Sequence, residues 1–243
     1  MRHLHAPQHM SQNLEANLQT ILRINAETVV LTEQDAGRKD NVARIEAAVG
    51  HRYHVCAAPA GSGHEREVVV LVKKRLGRKI WHVEHDVLSE NLGDDKGIGN
   101  DRHQITVYWH GRLVGDCATI GTHWNAAIQS KKTGGLLNSL FRAKAMVTAA
   151  KTLETKLEHL QADGYRVTGS ADFNYREHLP KSDDWDYAPQ NIFRRLKVRW
   201  VSKGLDWVWW KGFKLQAKTV IEPGTQGNGS DHPWILVTLK RLP

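Results

Sequence analysis

Cysteine is scarce in this sequence: Cys56 and Cys117 are the only two, and no CxxC pair occurs, so a zinc-finger reading has no support. Each lies in an apolar, strand-like stretch and reads as a buried free thiol rather than as part of a disulfide or metal site. No apolar run approaches the roughly 20 residues that cross a bilayer. The opening MRHLHAPQHM has no apolar signal-peptide core. A soluble, unexported, cytoplasmic protein with no membrane partner is expected. Repeats, low-complexity segments and interdomain linkers are also missing, and no obligate protein partner is evident. The 243 residues therefore suit one large α/β domain, 1–243.

What is present is an ordinary hydrophobic content of 40% and a basic balance, 34 Lys+Arg against 26 Asp+Glu, net +8. That charge permits a polyanionic partner such as nucleic acid. A solvated surface explains it equally well. Basic residues group around Lys73, Lys74, Arg75, Arg78 and Lys79, at Lys131 and Lys132, and at Arg194, Arg195, Lys197 and Arg199. Groups near a catalytic rim would hold phosphates, and the others would serve solubility.

Periodicity predicts a helix capped by Ser11 with Leu14, Leu18, Ile21 and Leu22 on one face. A short helix is predicted over 41–49 and a long one over 136–160, ended by Asp163-Gly164. Strands are predicted at 28–32, 53–57, 68–72, 80–83, 105–109, 113–120, 165–169, 205–210 and 234–239, with surface loops at 89–100, 181–190 and 223–229. Several strands follow one another without a helix. That excludes a regular βαβ repeat and favours mixed sheets packed face to face with helices outside.

Residues suited to chemistry stand where apolar strands begin or end: Glu33, His123, Asp172 and Asn174, Asp206, then Asp231 and His232. Strand ends at one edge of a sheet converge on a crevice, a common ligand position in α/β proteins. Singly, each has a bland explanation: a solvated carboxylate for Glu33, an Asx-turn for Asp172 and Asn174, a surface charge for Asp206, a surface ring for His123 or His232 among 14 histidines. As an ordered set they share a chemical purpose.

The segments Leu31-Thr32-Glu33-Gln34-Asp35, Gly121-Thr122-His123-Trp124-Asn125-Ala126, Gly169-Ser170-Ala171-Asp172-Phe173-Asn174, Leu205-Asp206-Trp207-Val208-Trp209 and Ser230-Asp231-His232-Pro233 resemble, in order, the five signature blocks of the endonuclease/exonuclease/phosphatase superfamily. The resemblance implies a deoxyribonuclease I-like fold: a four-layer α/β/β/α sandwich of two mixed sheets flanked by helices. It also implies roles. Glu33 would hold Mg²⁺ or Mn²⁺, with Asp231 as a further carboxylate on the metal side. Asp172 would position or deprotonate the attacking water, and Asn174 would hydrogen-bond the phosphate. His232 would contact the scissile phosphate, oriented by Asp206. His123 matches the family's second His or Tyr position, with Glu67 (or Glu65) as its acidic partner. Trp124, Asn125 and Trp185 are the expected substrate rim, while Trp200, Trp207, Trp209 and Trp210 are expected in the core.

The residue types suit that chemistry. Mg²⁺ takes hard oxygen ligands, usually one or two carboxylates, and keeps positions for water and phosphate. It neutralises charge developing on the phosphoryl oxygens. A carboxylate or imidazole in reach takes the proton from water. Two departures stand out. Residues 1–10 lack the Asn that ends the family's first strand, Gln8 and His9 being the candidates to replace it, and Ser170-Ala171 stands where many relatives have Gly-Gly or Gly-Asp. The expected function is a divalent-metal-dependent nuclease, DNA favoured over RNA, acting by direct water attack. A phosphatase or phosphodiesterase on a small phosphorylated molecule or phospholipid head group is the second reading. A catalytically impaired nucleic-acid-binding module is the third.

Overall fold

The computed structural model describes residues 1–8, 13–34, 41–57, 67–74, 79–89, 102–124, 136–175 and 186–242, with the backbone only at 33, 34, 67, 89 and 136–144. Ser11, Arg75, Arg78, Asn125, Lys131, Lys132, Trp185 and most of the 89–100 loop lie outside the described residues.

Sheet A comprises β1 (Arg2–His5), β2 (Thr28–Gln34), β3 (Tyr53–Ala57), β4 (Glu67–Lys73), β11 (Phe213–Ile221) and β12 (Trp234–Arg241), in the order β11-β12-β1-β2-β4-β3. Sheet B comprises β5 (Lys79–Ser89), β6 (Arg102–Gly111), β7 (Gly115–His123), β8 (Arg166–Asp172), β9 (Arg199–Lys203) and β10 (Asp206–Lys211), in the order β5-β6-β7-β8-β10-β9. Both are mixed: β1–β2 and β7–β8 run parallel, and the other pairs are antiparallel. Four helices are described: α1 (Leu14–Ile24), α2 (Asn41–Val49), α3 (Leu136–Ala162) and α4 (Pro189–Arg195).

The period-two alternation of the strands sorts their side chains into layers. Val30, Val68, Val70 and Val72 of sheet A meet Ile105, Val107, Cys117 and Val208 of sheet B in the inter-sheet core. On the other face of sheet A, Leu4, Val29, Leu31, Val69 and Leu71 receive Leu14, Leu18 and Ile21 of α1 and Ile45 and Val49 of α2. On the other face of sheet B, Ala118, Ile120, Val167, Trp207 and Trp209 receive Ala150, Leu153 and Leu157 of α3 and Ile192 and Phe193 of α4. The result is the expected four-layer sandwich. The sheets approach closely at Gly121, where a Cβ would lie 2.8 Å from Val68 Cγ1 and 2.9 Å from Val30 Cγ1. Two residues past α3, Gly164 turns the chain at a φ of +77°, which suits a residue without Cβ. Both cysteines are free; burial pushes the Cys56 thiol up to about 11, and the Glu46 charge adds to it. No helix among the described residues is long and apolar enough to cross a membrane.

Candidate active site

The sheet registers bring three of the predicted residues into one row. His123, last in β7, pairs with Asp172, last in β8. Asp172 pairs in turn with Asp206, first in β10. All three are buried. Past Asp172, Phe173 drops into the core, its ring 5.4 Å from that of Trp209 and stacked on it. Asn174 then turns the chain at φ +50°, which Asn tolerates better than most residues, and its N–H donates to Asp172 Oδ1 at 2.7 Å, closing an Asx-turn. Its side-chain Nδ2 donates to Trp124 O at 2.8 Å and stands 3.2 Å from His123 Nε2. His123 Nε2 also lies 3.7 Å from Asp172 Oδ2.

Trp124 needs a correction. It was expected on the substrate rim, but it is fully buried, its ring centroid 4.4 Å from that of Phe173. Its N–H donates to Asp172 O at 3.0 Å, so the strand pairing carries on one residue past His123 and turns the indole toward α3 and α4. Trp207, Trp209 and Trp210 are core residues, as expected, and Trp200 packs against the same cluster.

His232 reaches the row from sheet A. Its Nδ1 donates to Asp206 Oδ2 at 3.0 Å, and the side chain is 19% exposed, so it is in part open to solvent. The loop that carries it is tied internally: Asn228 Nδ2 donates to Ile221 O and His232 O, both at 2.9 Å, and Asn228 Oδ1 accepts the Ser230 N–H at 2.9 Å. It is also tied to α1, since the Gly229 N–H donates to Asn17 Oδ1 at 2.8 Å. Asn17 Nδ2 donates in turn to Gln8 Oε1 at 2.9 Å, and Gln8 Nε2 donates to Ala6 O at 2.8 Å. Gln8 thus supports the His232 loop through Asn17, while its amide nitrogen is tied to Ala6 O.

Sequence reading missed one residue of this group. His5 Nε2 donates to Asp206 Oδ1 at 3.0 Å, so Asp206 accepts from a ring on each oxygen. Burial pushes the Asp206 carboxyl up, but the hydrogen bonds from His232 and His5 and the attraction of the two rings outweigh it and hold the group below its ordinary value. The available signal was the alternation His3-Leu4-His5, with Leu4 facing α1 and the two rings facing sheet B.

Glu33 is the penultimate residue of β2, and Glu67 opens β4 opposite Gln34, so both backbones stand at one end of sheet A. Asp231 is exposed beside His232. Asn125 lies outside the described residues. Among the described residues, no three His, Cys, Asp or Glu side chains gather tightly enough to hold a metal alone. The donor chemistry nonetheless fits a hard divalent cation, which needs only one or two carboxylates. Of the basic clusters read from the sequence, the described members lie elsewhere, while Lys203 pairs with Asp206 at the row. Lys73 and Lys74 line a cleft of about 450 Å³ with Arg52 and His51, at the opposite end of β4 from Glu67. Arg195 is taken up by Glu154, and Arg199 pairs with Trp210 at the far end of β10.

No protein-family model matches this chain. No curated protein matches it in sequence. Solved structures do match it in fold. An endonuclease/exonuclease/phosphatase from Bacteroides vulgatus superposes with a TM-score of 0.71 at 13% identity, covering 99% of this chain and 98% of that one. A mannosyl-6-phosphatase from Bacteroides thetaiotaomicron gives 0.69 at 10% identity, covering 99% of each. The human Nocturnin catalytic domain, solved with a bound sulfate anion, gives 0.68 at 12% identity, covering 99% of this chain and 94% of that one. Over nearly its whole length, the chain has the endonuclease/exonuclease/phosphatase fold.

Proposed function

We propose that the chain, acting as one catalytic domain, is a divalent-metal-dependent phosphoester hydrolase, and within that class a nuclease. The observation that carries this reading is the meeting of His123, Asp172, Asn174, Asp206 and His232 at one end of the two sheets. Glu33 and Asp231 would hold Mg²⁺ or Mn²⁺, which when bound neutralises charge on the phosphoryl oxygens. Asp172 orients the attacking water and takes its proton. His232 hydrogen-bonds a phosphate oxygen, and Asn174 does so with the Nδ2 hydrogen not given to Trp124 O. Asp206 fixes the His232 tautomer with Nδ1 as donor, leaving Nε2 for the substrate. Glu67 is assigned to His123, and Asn125 to the substrate side.

The net charge of +8 supports a nucleic-acid substrate, DNA first. A small phosphorylated substrate is the second reading. Lys73, Lys74 and Arg199 stand away from the catalytic row, which favours it; the cation at the row itself is Lys203, paired with Asp206 across β9 and β10 and held by Glu222 at 3.0 Å. The test is incubation of the purified protein with supercoiled plasmid, linear duplex, single-stranded DNA, RNA and sugar phosphates, each with Mg²⁺, Mn²⁺ or EDTA. Metal-dependent cleavage of a nucleic acid, inhibited by moderate salt, supports the nuclease. Phosphate release from sugar phosphates alone supports the second reading. A lack of hydrolysis on every substrate defeats both.

A further inference from the structure

His5 belongs to β1 of sheet A, and Asp206 to β10 of sheet B. Their hydrogen bond crosses the interior between the sheets, where His5 is fully buried and Asp206 is 1% exposed. The same carboxylate meets His232 on its other oxygen, so one line of contacts runs from His5 through Asp206 to a side chain in part open to solvent. His5 makes no other side-chain hydrogen bond among the described residues, and its buried Nδ1 has no partner. The same layer holds His3, Thr28 and Ser170, but the residues paired with His5 across the strands, Val30 and Ile235, are apolar. An imidazole there is a poor choice for packing alone, since a polar group buried among apolar neighbours is unfavourable unless its hydrogen bond compensates. Its one polar contact is the Asp206 carboxylate. A carboxylate held on one oxygen only is free to rotate about its terminal torsion, which has a broad, two-fold profile. Held on both, it keeps Oδ2 aimed at His232.

We propose that His5 is a positioning residue for His232: it anchors Oδ1 of Asp206, so that Oδ2 stays on the His232 Nδ1–H and the ring keeps its tautomer and direction. For its kinetic readouts, this rests on the phosphoester-hydrolase reading above. The arrangement follows the general logic by which outer partners orient a working histidine. The role is indirect, since His5 is enclosed in the core.

The test compares wild type with His5→Leu, which fills the space without a donor, and His5→Gln, whose Nε2 can stand where the imidazole Nε2 stood. The first readout needs no substrate. The His232 Nδ1–H proton, assigned by its loss in His232→Gln, is expected as a sharp downfield NMR resonance in wild type and His5→Gln. In His5→Leu it should move upfield and broaden. The second readout is kinetic: His5→Leu should lower kcat by about 10- to 100-fold with KM nearly unchanged, and His5→Gln should restore most of the loss. If His5→Leu fails to fold, His5→Asn takes its place, because its shorter side chain does not reach Asp206. An unmoved resonance in a folded donor-less variant overturns the proposal, as does equal impairment by Leu and Gln. If wild type hydrolyses nothing, the functional reading fails while the resonance still decides the role of His5.

Discussion

Replacing Asp206 by Asn is the most informative perturbation of the proposed catalytic row. The native carboxylate accepts two ring N–H groups at 3.0 Å, one on each oxygen, from a position 1% exposed. An Asn amide offers one acceptor and one donor, so it keeps one of those bonds and sets N–H against N–H at the other. The second ring must then flip its tautomer or turn away. Losing one charge-assisted, buried bond costs about 1.5–3 kcal/mol, which in a chain of this size lowers Tm by roughly 3–12 °C. Catalysis should suffer more, because His232 loses the partner that fixes its tautomer and direction: kcat should fall on the order of 100- to 1,000-fold, with a smaller change in KM. The pH dependence gives an independent check. Because the Asp206 carboxyl is held below its ordinary 3.8, its contribution is fully present above that value and is lost as pH falls through the depressed value. The stability gap between wild type and Asp206→Asn should therefore close at strongly acid pH. The assays are urea unfolding from pH 2 to 8 and steady-state hydrolysis. A variant with wild-type kcat and an unchanged, pH-independent Tm would refute the claim that this carboxylate holds the two rings.

His3 makes a second pH-dependent contribution. Burial, aided by the neighbouring His5, lowers it from 6.5 to about 3, so the folded chain keeps it neutral where the unfolded chain takes up a proton. Stability from this group is complete above 6.5 and is lost as pH falls from there toward 3, at up to ~1.4 kcal/mol per pH unit. His3→Gln should flatten the acid limb of urea midpoints over that window, and an identical limb would count against it. At Gly169, a Cβ would lie 2.4 Å from the Trp209 indole. Gly169→Ala should therefore destabilise the fold by about 1–3 kcal/mol through overpacking, read by thermal melting, and an unaltered Tm would show that the ring can give way.

Most of the fold was legible because its strands are apolar and its long helix is periodic. The 41–49 helix has the predicted limits, and Asp172, Asp206 and His123 bound their strands as expected. The failures share a cause. β1 reads poorly because His3 and His5 occupy inward positions where an apolar residue would have marked the strand. β11 was missed because its outer positions are exposed and polar, with Lys214, Gln216 and Lys218 interrupting the pattern. β5 runs six residues beyond its predicted end at Val83, through Glu84 and Asp86, because its pairing with β6 continues to Ser89↔Arg102 along the sheet edge. α4 has only seven residues, too few to show a helical period. Trp124 was misplaced because motif adjacency to His123 says nothing of which face the next side chain takes. The row of His123, Asp172 and Asp206 could be inferred from strand ends and motif order, whereas the His5–Asp206 contact depends on how the two sheets stack, which no local pattern encodes.

The most direct measurement is the release of p-nitrophenol from bis-p-nitrophenyl phosphate by wild type and Asp172→Ala, each with Mg²⁺ and with EDTA, with melting curves on the same samples. The convergence of Asp172 with His123, Asn174 and Asp206 at one end of the sheets predicts that wild type turns over with Mg²⁺ and stops in EDTA. It also predicts that Asp172→Ala remains folded while losing at least about 100-fold in rate. Hydrolysis that persists in EDTA, or a folded Asp172→Ala protein as fast as wild type, would contradict it.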